Sequence, residues 1–161
     1  MQTVTVAIAD TDAGRRAKLE QFLQEGPGIQ VLTDVMSSEN DAPGGNESES
    51  HKNSVSTQDV VARIVQLKPR ILFVNLDLSI ERDCALLEAL HQACPETHVL
   101  LLIDKSVQEE QIIQALANGA RGCLSHEADP FYFLKAVRVV DRGEIWVTRR
   151  MLGKIMDRVL H

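Results

Sequence analysis

Four carboxylates and one histidine stand where apolar runs end: Asp10 and Asp12 after Val4 to Ala9, Asp77 just past Ile71 to Val74, Asp104 after Val99 to Ile103, and His126 after Gly122 to Leu124. If those runs are neighbouring strands, their ends bring the acids and His126 to one edge of a sheet. Such a set could take a divalent cation, which prefers hard carboxylate oxygens, or sense pH through an imidazole that titrates near neutrality. The irregular spacing of the acids favours a different outcome, a polar cluster whose members hydrogen-bond one another without a ligand. Other chemistry has less support. Cys84, Cys94 and Cys123 are odd in number and lack metal-ligand spacing, so they read as reduced thiols, with neither disulfide nor zinc expected. No glycine-rich phosphate loop follows the first apolar run and no nucleophile and base are paired, so an enzyme is not expected, nor a cofactor.

The elements that must position these residues follow from periodicity. Val4 to Ala9 is a short β-branched run of the kind that forms a buried parallel strand. Leu19, Phe22 and Leu23 then share a helical face, Gly26-Pro27-Gly28 stops that helix, and Ile29 to Val35 reads as a second strand. Residues 37–58 are rich in Ser, Asn, Gly and acids, and read as a flexible insertion that cannot bury itself. Beyond it, Val60, Val61, Ile64 and Leu67 predict a helix closed by Lys68-Pro69, and Ile71 to Val74 a third strand. Leu86, Leu87 and Leu90 predict a third helix ended by Pro95, followed by a fourth strand over Val99 to Ile103. Ser106 and Glu109 form a candidate capping box for a helix carrying Ile112, Ile113 and Leu116, stopped by Asn118-Gly119. Gly122 to Leu124 is a short fifth strand, and Asp129-Pro130 opens a helix with Phe133, Leu134, Val137 and Val140 that Gly143 ends. Five strands alternating with helices predict an α/β fold, a doubly wound parallel sheet with helices on both faces and ligands at the carboxyl ends of its strands. His91 and His98 read as surface residues and Trp146 as a packing anchor.

The last segment, Thr148 to Leu160, places Met151, Leu152, Ile155, Met156 and Val159 on one stripe and predicts a sixth helix. It can pack on its own domain or contact a partner subunit or further domain; the pattern does not choose. A length of 161 residues fits one domain of about 100 to 200 residues, and 44% hydrophobic with 25% charged residues is the composition of a folded protein. The expected division is a domain over 1–145 and a linker helix over 146–161. The net charge of −6 argues against a broad basic face for nucleic acid. No apolar run approaches the roughly 18 to 20 residues of a membrane span, and no signal-peptide layout opens the chain, so the expected location is cytoplasmic.

Five βα units, the acid ending the first strand, and the stretch Ala117-Asn118-Gly119-Ala120-Arg121-Gly122-Cys123-Leu124-Ser125-His126 together resemble bacterial response-regulator receiver domains of the CheY-like superfamily, over residues 3–145. The resemblance implies strand order 2-1-3-4-5. The ending Gly143-Glu144-Ile145-Trp146-Val147-Thr148-Arg149-Arg150 resembles the receiver-to-linker junction of NarL/FixJ-like regulators, whose DNA-binding helix-turn-helix module would follow. The sequence stops at His161 without one, so DNA contact would need a module absent from this chain, which reads either as a stand-alone receiver or as one cut from a longer transcription factor.

In that family an acidic pair after the first strand holds Mg²⁺ and an aspartate ending the third strand accepts phosphate. A hydroxyl residue after the fourth strand and a lysine after the fifth answer the added charge. Asp10 matches the first acid, but the second acid's place is Thr11, with Asp12 one residue on. The acceptor position is Asn75, whose neutral amide is a poor nucleophile and cannot form an acyl phosphate by the carboxylate route. The hydroxyl position falls on Asp104, or on Ile103 by a count from Pro95, the lysine position on His126 and the aromatic switch position on Cys123. Together these changes imply a degenerate pseudo-receiver with weakened Mg²⁺ binding, for which Asp10, Asp12 and Asp77 are the candidate ligands. It would act in signal transduction and transcription regulation without aspartate phosphorylation, through a homodimer or a partner protein or ligand, and without a membrane. The family's dimer faces imply interface residues Ile112, Leu116, Phe133 and Val137, and the last helix adds Met151 and Ile155. The alternative is a working two-component receiver phosphorylated at a shifted acceptor, Asp77, two residues past Asn75 and therefore on the same side of an extended strand.

Overall fold

A computed structural model describes residues 3–10, 12–32, 57–75, 80–104 and 107–160. The chain runs β1 (Val4–Ala9), α1 (Ala13–Gln24), β2 (Ile29–Leu32), α2 (Thr57–Leu67), β3 (Ile71–Asn75), α3 (Ile80–Ala93), β4 (His98–Ile103), α4 (Glu109–Ala117), β5 (Gly122–Ser125), α5 (Pro130–Asp141) and α6 (Arg149–Leu160). The sheet order is β2-β1-β3-β4-β5 and every pairing is parallel, as the resemblance implied. Most of the expected insertion over 37–58 lies outside the described residues, as do 33–35 at the end of the expected second strand; Thr57 and Gln58 already belong to α2.

Strand periodicity divides the core in two. Ala7, Ala9, Leu72, Val74, Val99 and Leu101 face one side and pack with Val60, Ile64, Leu90, Ile112, Ile113 and Met151 of the helices there. Their neighbours Val6, Ile8, Ile71, Phe73, Leu100 and Leu102 face the other side, under Leu19 and Leu23 of α1 and Phe133 and Val137 of α5. All five residues of β3 are buried, the mark of a central parallel strand. Each large side chain so enclosed contributes about 1.5–3 kcal/mol.

Helix boundaries follow local chemistry. Asp12 caps α1, its Oδ1 accepting from the Arg15 backbone N–H at 3.0 Å. Asp129 caps α5 and Pro130 fills its first turn, as expected. The start of α4 corrects the expectation: its N-cap is Gln108, not Ser106, and Gln111 Oε1 accepts from the Gln108 N–H at 2.9 Å. Lys68 closes α2 with a left-handed φ of 51°, and Gly119 ends α4 with φ 112°.

After α5 the chain returns along the sheet edge. Trp146 N–H donates to Arg121 O at 2.9 Å, and Cys123 N–H donates to Trp146 O at 3.1 Å, so this segment pairs with β5 in parallel. Gly122 makes the approach possible, because a Cβ there would lie 2.3 Å from Trp146 O. Trp146 packs partly buried against the α1/α5 side of the core. The last helix then turns back onto its own domain. Met151 is buried and Ile155 partly buried on the α4 side, while Arg150 and Lys154 pair with Glu109 and Arg158 with Glu110. Of the candidate interface residues, Ile112, Phe133, Val137 and Met151 are core residues of the chain itself, and Leu116 and Ile155 pack against that core. The large apolar side chains left exposed in these regions are Phe131, Tyr132, Ile145, Leu152, Met156 and Leu160.

Candidate functional site

The sheet order reverses beside β1, between its neighbours β2 and β3, and side chains at the carboxyl ends of β1 and β3 meet in the crevice that results. Asp10 follows β1 and Asn75 ends β3; each is only 1% exposed, and they are the two buried polar residues among those described. A buried carboxylate needs partners, and among the described residues four donors reach Asp10. Arg15 Nε donates to Oδ2 at 3.2 Å and Arg15 Nη2 to Oδ1 at 3.1 Å, a fork that spans both oxygens. Oδ1 also accepts from the Asp12 backbone N–H at 2.9 Å and from Asn75 Nδ2 at 3.1 Å. Arg16 Nη1 donates to the Asp10 carbonyl oxygen at 2.9 Å, so α1 pins this strand end twice.

From Asn75 the network continues across the sheet. His126 Nε2 lies 3.3 Å from Asn75 Oδ1, and with the proton on Nε2 it donates to that oxygen. The β5 end is itself positioned by the His126 backbone N–H, which donates to Ile103 O at 3.0 Å. The result is a line from Arg15 through Asp10 and Asn75 to His126. Asp12 stands beside it with its carboxyl held below the ordinary carboxylate range, first by the Arg15 backbone N–H it caps, with the Arg15 and His126 charges adding to the effect.

The sequence candidates therefore separate. Asp10, Asn75 and His126 form one hydrogen-bonded line, and Asp12 joins it through its backbone N–H and its charge. Asp104 is half-buried at the end of β4, next to the strand end that carries His126. Thr11 and Asp77 lie outside the described residues. Cys123, at the switch position, packs partly buried against the core, and burial pushes its thiol up to about 11. Of the histidines expected at the surface, His91 is exposed, but His98 opens β4 half-buried.

Sequence reasoning missed Arg15. Its signal is an arginine five residues past the strand-ending acid and three past a helix-capping aspartate, the distance over which a first-turn side chain reaches back across the strand end.

A divalent cation fits this site poorly. Both Asp10 oxygens receive the guanidinium fork, and Asn75 turns its amide nitrogen, a donor, toward the carboxylate. Among the described residues no group of three His, Cys, Asp or Glu side chains is arranged to hold a metal ion. The arrangement can instead hold a buried charge neutral and couple α1, β1, β3 and β5 through one hydrogen-bonded line.

Fold, strand order and the place of this crevice define the class: the chain has the receiver-domain fold of response regulators. It is similar over 99% of its length to a LuxR-family two-component response regulator from an Aurantimonas species, with a TM-score of 0.72, 13% identity and 100% of that chain covered. The signal receiver domain of the response regulator NarL from Mycobacterium tuberculosis gives a TM-score of 0.68 and 17% identity over 89% of this chain and all of its own. A curated relative, the oxygen regulatory protein NreC of Staphylococcus haemolyticus, is 26% identical over 100 residues, 62% of this chain. That match spans 46% of the relative's length. No family model matches the chain. Among the described residues no helix is long and apolar enough to cross a membrane.

Proposed function

We propose that this chain is a response-regulator receiver domain whose output does not depend on phosphorylation at the usual acceptor position. One observation carries the reading. At the place of the acceptor carboxylate stands a buried amide, hydrogen-bonded to Asp10 on one side and His126 on the other, with Arg15 where positive charge would otherwise come from a metal. An amide has neither the charge nor the nucleophilicity to attack a phosphoryl donor. Without phosphate to bias its two states, control must come from a partner or ligand with different affinity for each, or from protein level. The output in this reading is a protein interface formed by a second copy or a partner. A link through α6 to a DNA-binding module, and action in the cytoplasm on transcription, belong to the same proposal.

Incubation with acetyl phosphate and Mg²⁺, read by intact-mass spectrometry, tests it. The expected result is an unmodified chain. A phosphoryl adduct that disappears in Asp77→Ala overturns the reading in favour of a shifted acceptor, and an adduct that survives that change overturns it in favour of another carboxylate.

A further inference from the structure

Between α1 and the turn joining β5 to α5 lies a cavity of about 340 Å³, inside the range of about 300–1,000 Å³ typical of small-molecule pockets. Its character is set by one face of α1. Arg15, Lys18, Leu19 and Phe22 follow helical spacing, so the face begins cationic at the first turn and becomes apolar one turn later. Leu102 of the sheet and Phe133 of α5 complete the apolar part, and both are core residues with almost no exposure. No polar group of these four apolar side chains is available to hold ordered water, so an apolar body is the better occupant of the inner part.

The mouth carries charge of both signs, and its anions are largely engaged. Asp10 is neutralised by Arg15, and Asp129 Oδ1 accepts from the Phe131 N–H at 2.9 Å as the cap of α5. Glu127 is exposed on the turn. Lys18 makes no ion pair among the described residues and precedes Leu19 on the same helical face. An anionic group at Lys18 leaves the rest of a ligand lying over Leu19 and Phe22.

We infer that this cavity binds a small monocarboxylate with an apolar body, its carboxylate at Lys18 and its body against Leu19, Phe22, Leu102 and Phe133. The inference rests on the phosphate-independent reading above, which it supplies with a ligand. His126 also lines the cavity, so the occupant touches both ends of the Arg15–Asp10–Asn75–His126 line and holds α1 against the β5–α5 turn.

Titration of the isotope-labelled chain with phenylbutyrate, followed by NMR, tests this, with phenylbutylamine as the cationic isostere. The expected result is saturable shifts of α1 and turn amides with the carboxylate, and binding of the amine at least about tenfold weaker, the worth of one charge-assisted contact. Lys18→Glu, at an exposed position whose fold is checked by circular dichroism, is expected to weaken the carboxylate about tenfold or more. Absence of saturable shifts, equal binding of acid and amine, or indifference to Lys18→Glu overturns the assignment. Intact mass after acetyl phosphate and Mg²⁺ on the same samples separates the two readings. An adduct overturns phosphate independence whether or not the carboxylate binds. An unmodified chain that fails to bind phenylbutyrate overturns the cavity assignment alone.

Discussion

Asp10 is a buried charge whose partner has become part of the protein. The Arg15 fork supplies positive charge and two donors in fixed geometry, which an ammonium on a flexible stem cannot reproduce. Removing it leaves a carboxylate that is 1% exposed with, among the described residues, the neutral donors Asp12 N–H and Asn75 Nδ2. Arg15→Ala is therefore expected to lower stability by about 1–3 kcal/mol, below the range of about 3–5 kcal/mol for fully buried pairs because Arg15 itself is partly exposed. Arg15→Lys should recover only part of that loss. Urea denaturation with an unchanged m-value checks both. Asn75→Asp sets two carboxylates side by side in place of the 3.1 Å amide contact, and is expected to cost about 1–3 kcal/mol on the same assay. Stability equal to the parent would mean that the pocket relaxes to accept two acids. Asp10, Asn75 and His126 are legible in the sequence because each follows an apolar run at a strand end. Arg15 is not, since its role depends on the reach of a long side chain across a βα turn, and the capping role of Asp12 shows only once the helix start is placed.

At the scale of elements, α6 and the edge segment before it show what patterning leaves open. The Met151 and Ile155 stripe is equally suited to a partner and to the domain itself, and α4 decides the matter with an apolar groove for those two residues and an acidic first turn. Glu109 and Glu110 there meet Arg150, Lys154 and Arg158, charge pairs between residues 41 to 48 apart in sequence that helical spacing cannot reveal. The same limit explains the buried interface candidates. Ile112, Phe133 and Val137 have the periodicity of an apolar face, which marks the core side of a helix as readily as a docking side. The five strands are legible because short apolar runs alternate with helical patterns along the chain, while their order comes only from the resemblance to receiver domains. The edge pairing at Trp146 hangs on Gly122. Gly122→Ala is expected to push the backbone at Trp146 off β5, since its Cβ would sit 2.3 Å from the Trp146 carbonyl oxygen. Hydrogen exchange should then quicken at the Trp146 and Cys123 amides while the β1 and β3 amides keep their protection; unchanged exchange at Trp146 would show that the edge absorbs a methyl group.

For the whole molecule, pH and ligand linkage report which charges the folded state has arranged. The His98 imidazole is held below its ordinary value, chiefly by burial at the start of β4 and then by Arg121 and Arg70. The unfolded chain thus takes up that proton more readily. Stability from this group is fully present above about pH 6.5 and is lost as pH falls below it toward the folded-state value. His98→Gln is expected to flatten the acid-side slope of stability against pH, a difference that thermal melts across the neutral to mildly acidic range would reveal. The central claim, that the Arg15 guanidinium occupies the role of a cation at Asp10, has its own linkage test. A cation that binds only the native site raises the melting temperature with its concentration. The measurement is the melting temperature of the full chain against Mg²⁺ at matched ionic strength. The account predicts a flat line, the same for the parent and for Asp10→Asn measured against its own baseline. A melting temperature that climbs with Mg²⁺ in the parent and not in Asp10→Asn would contradict it.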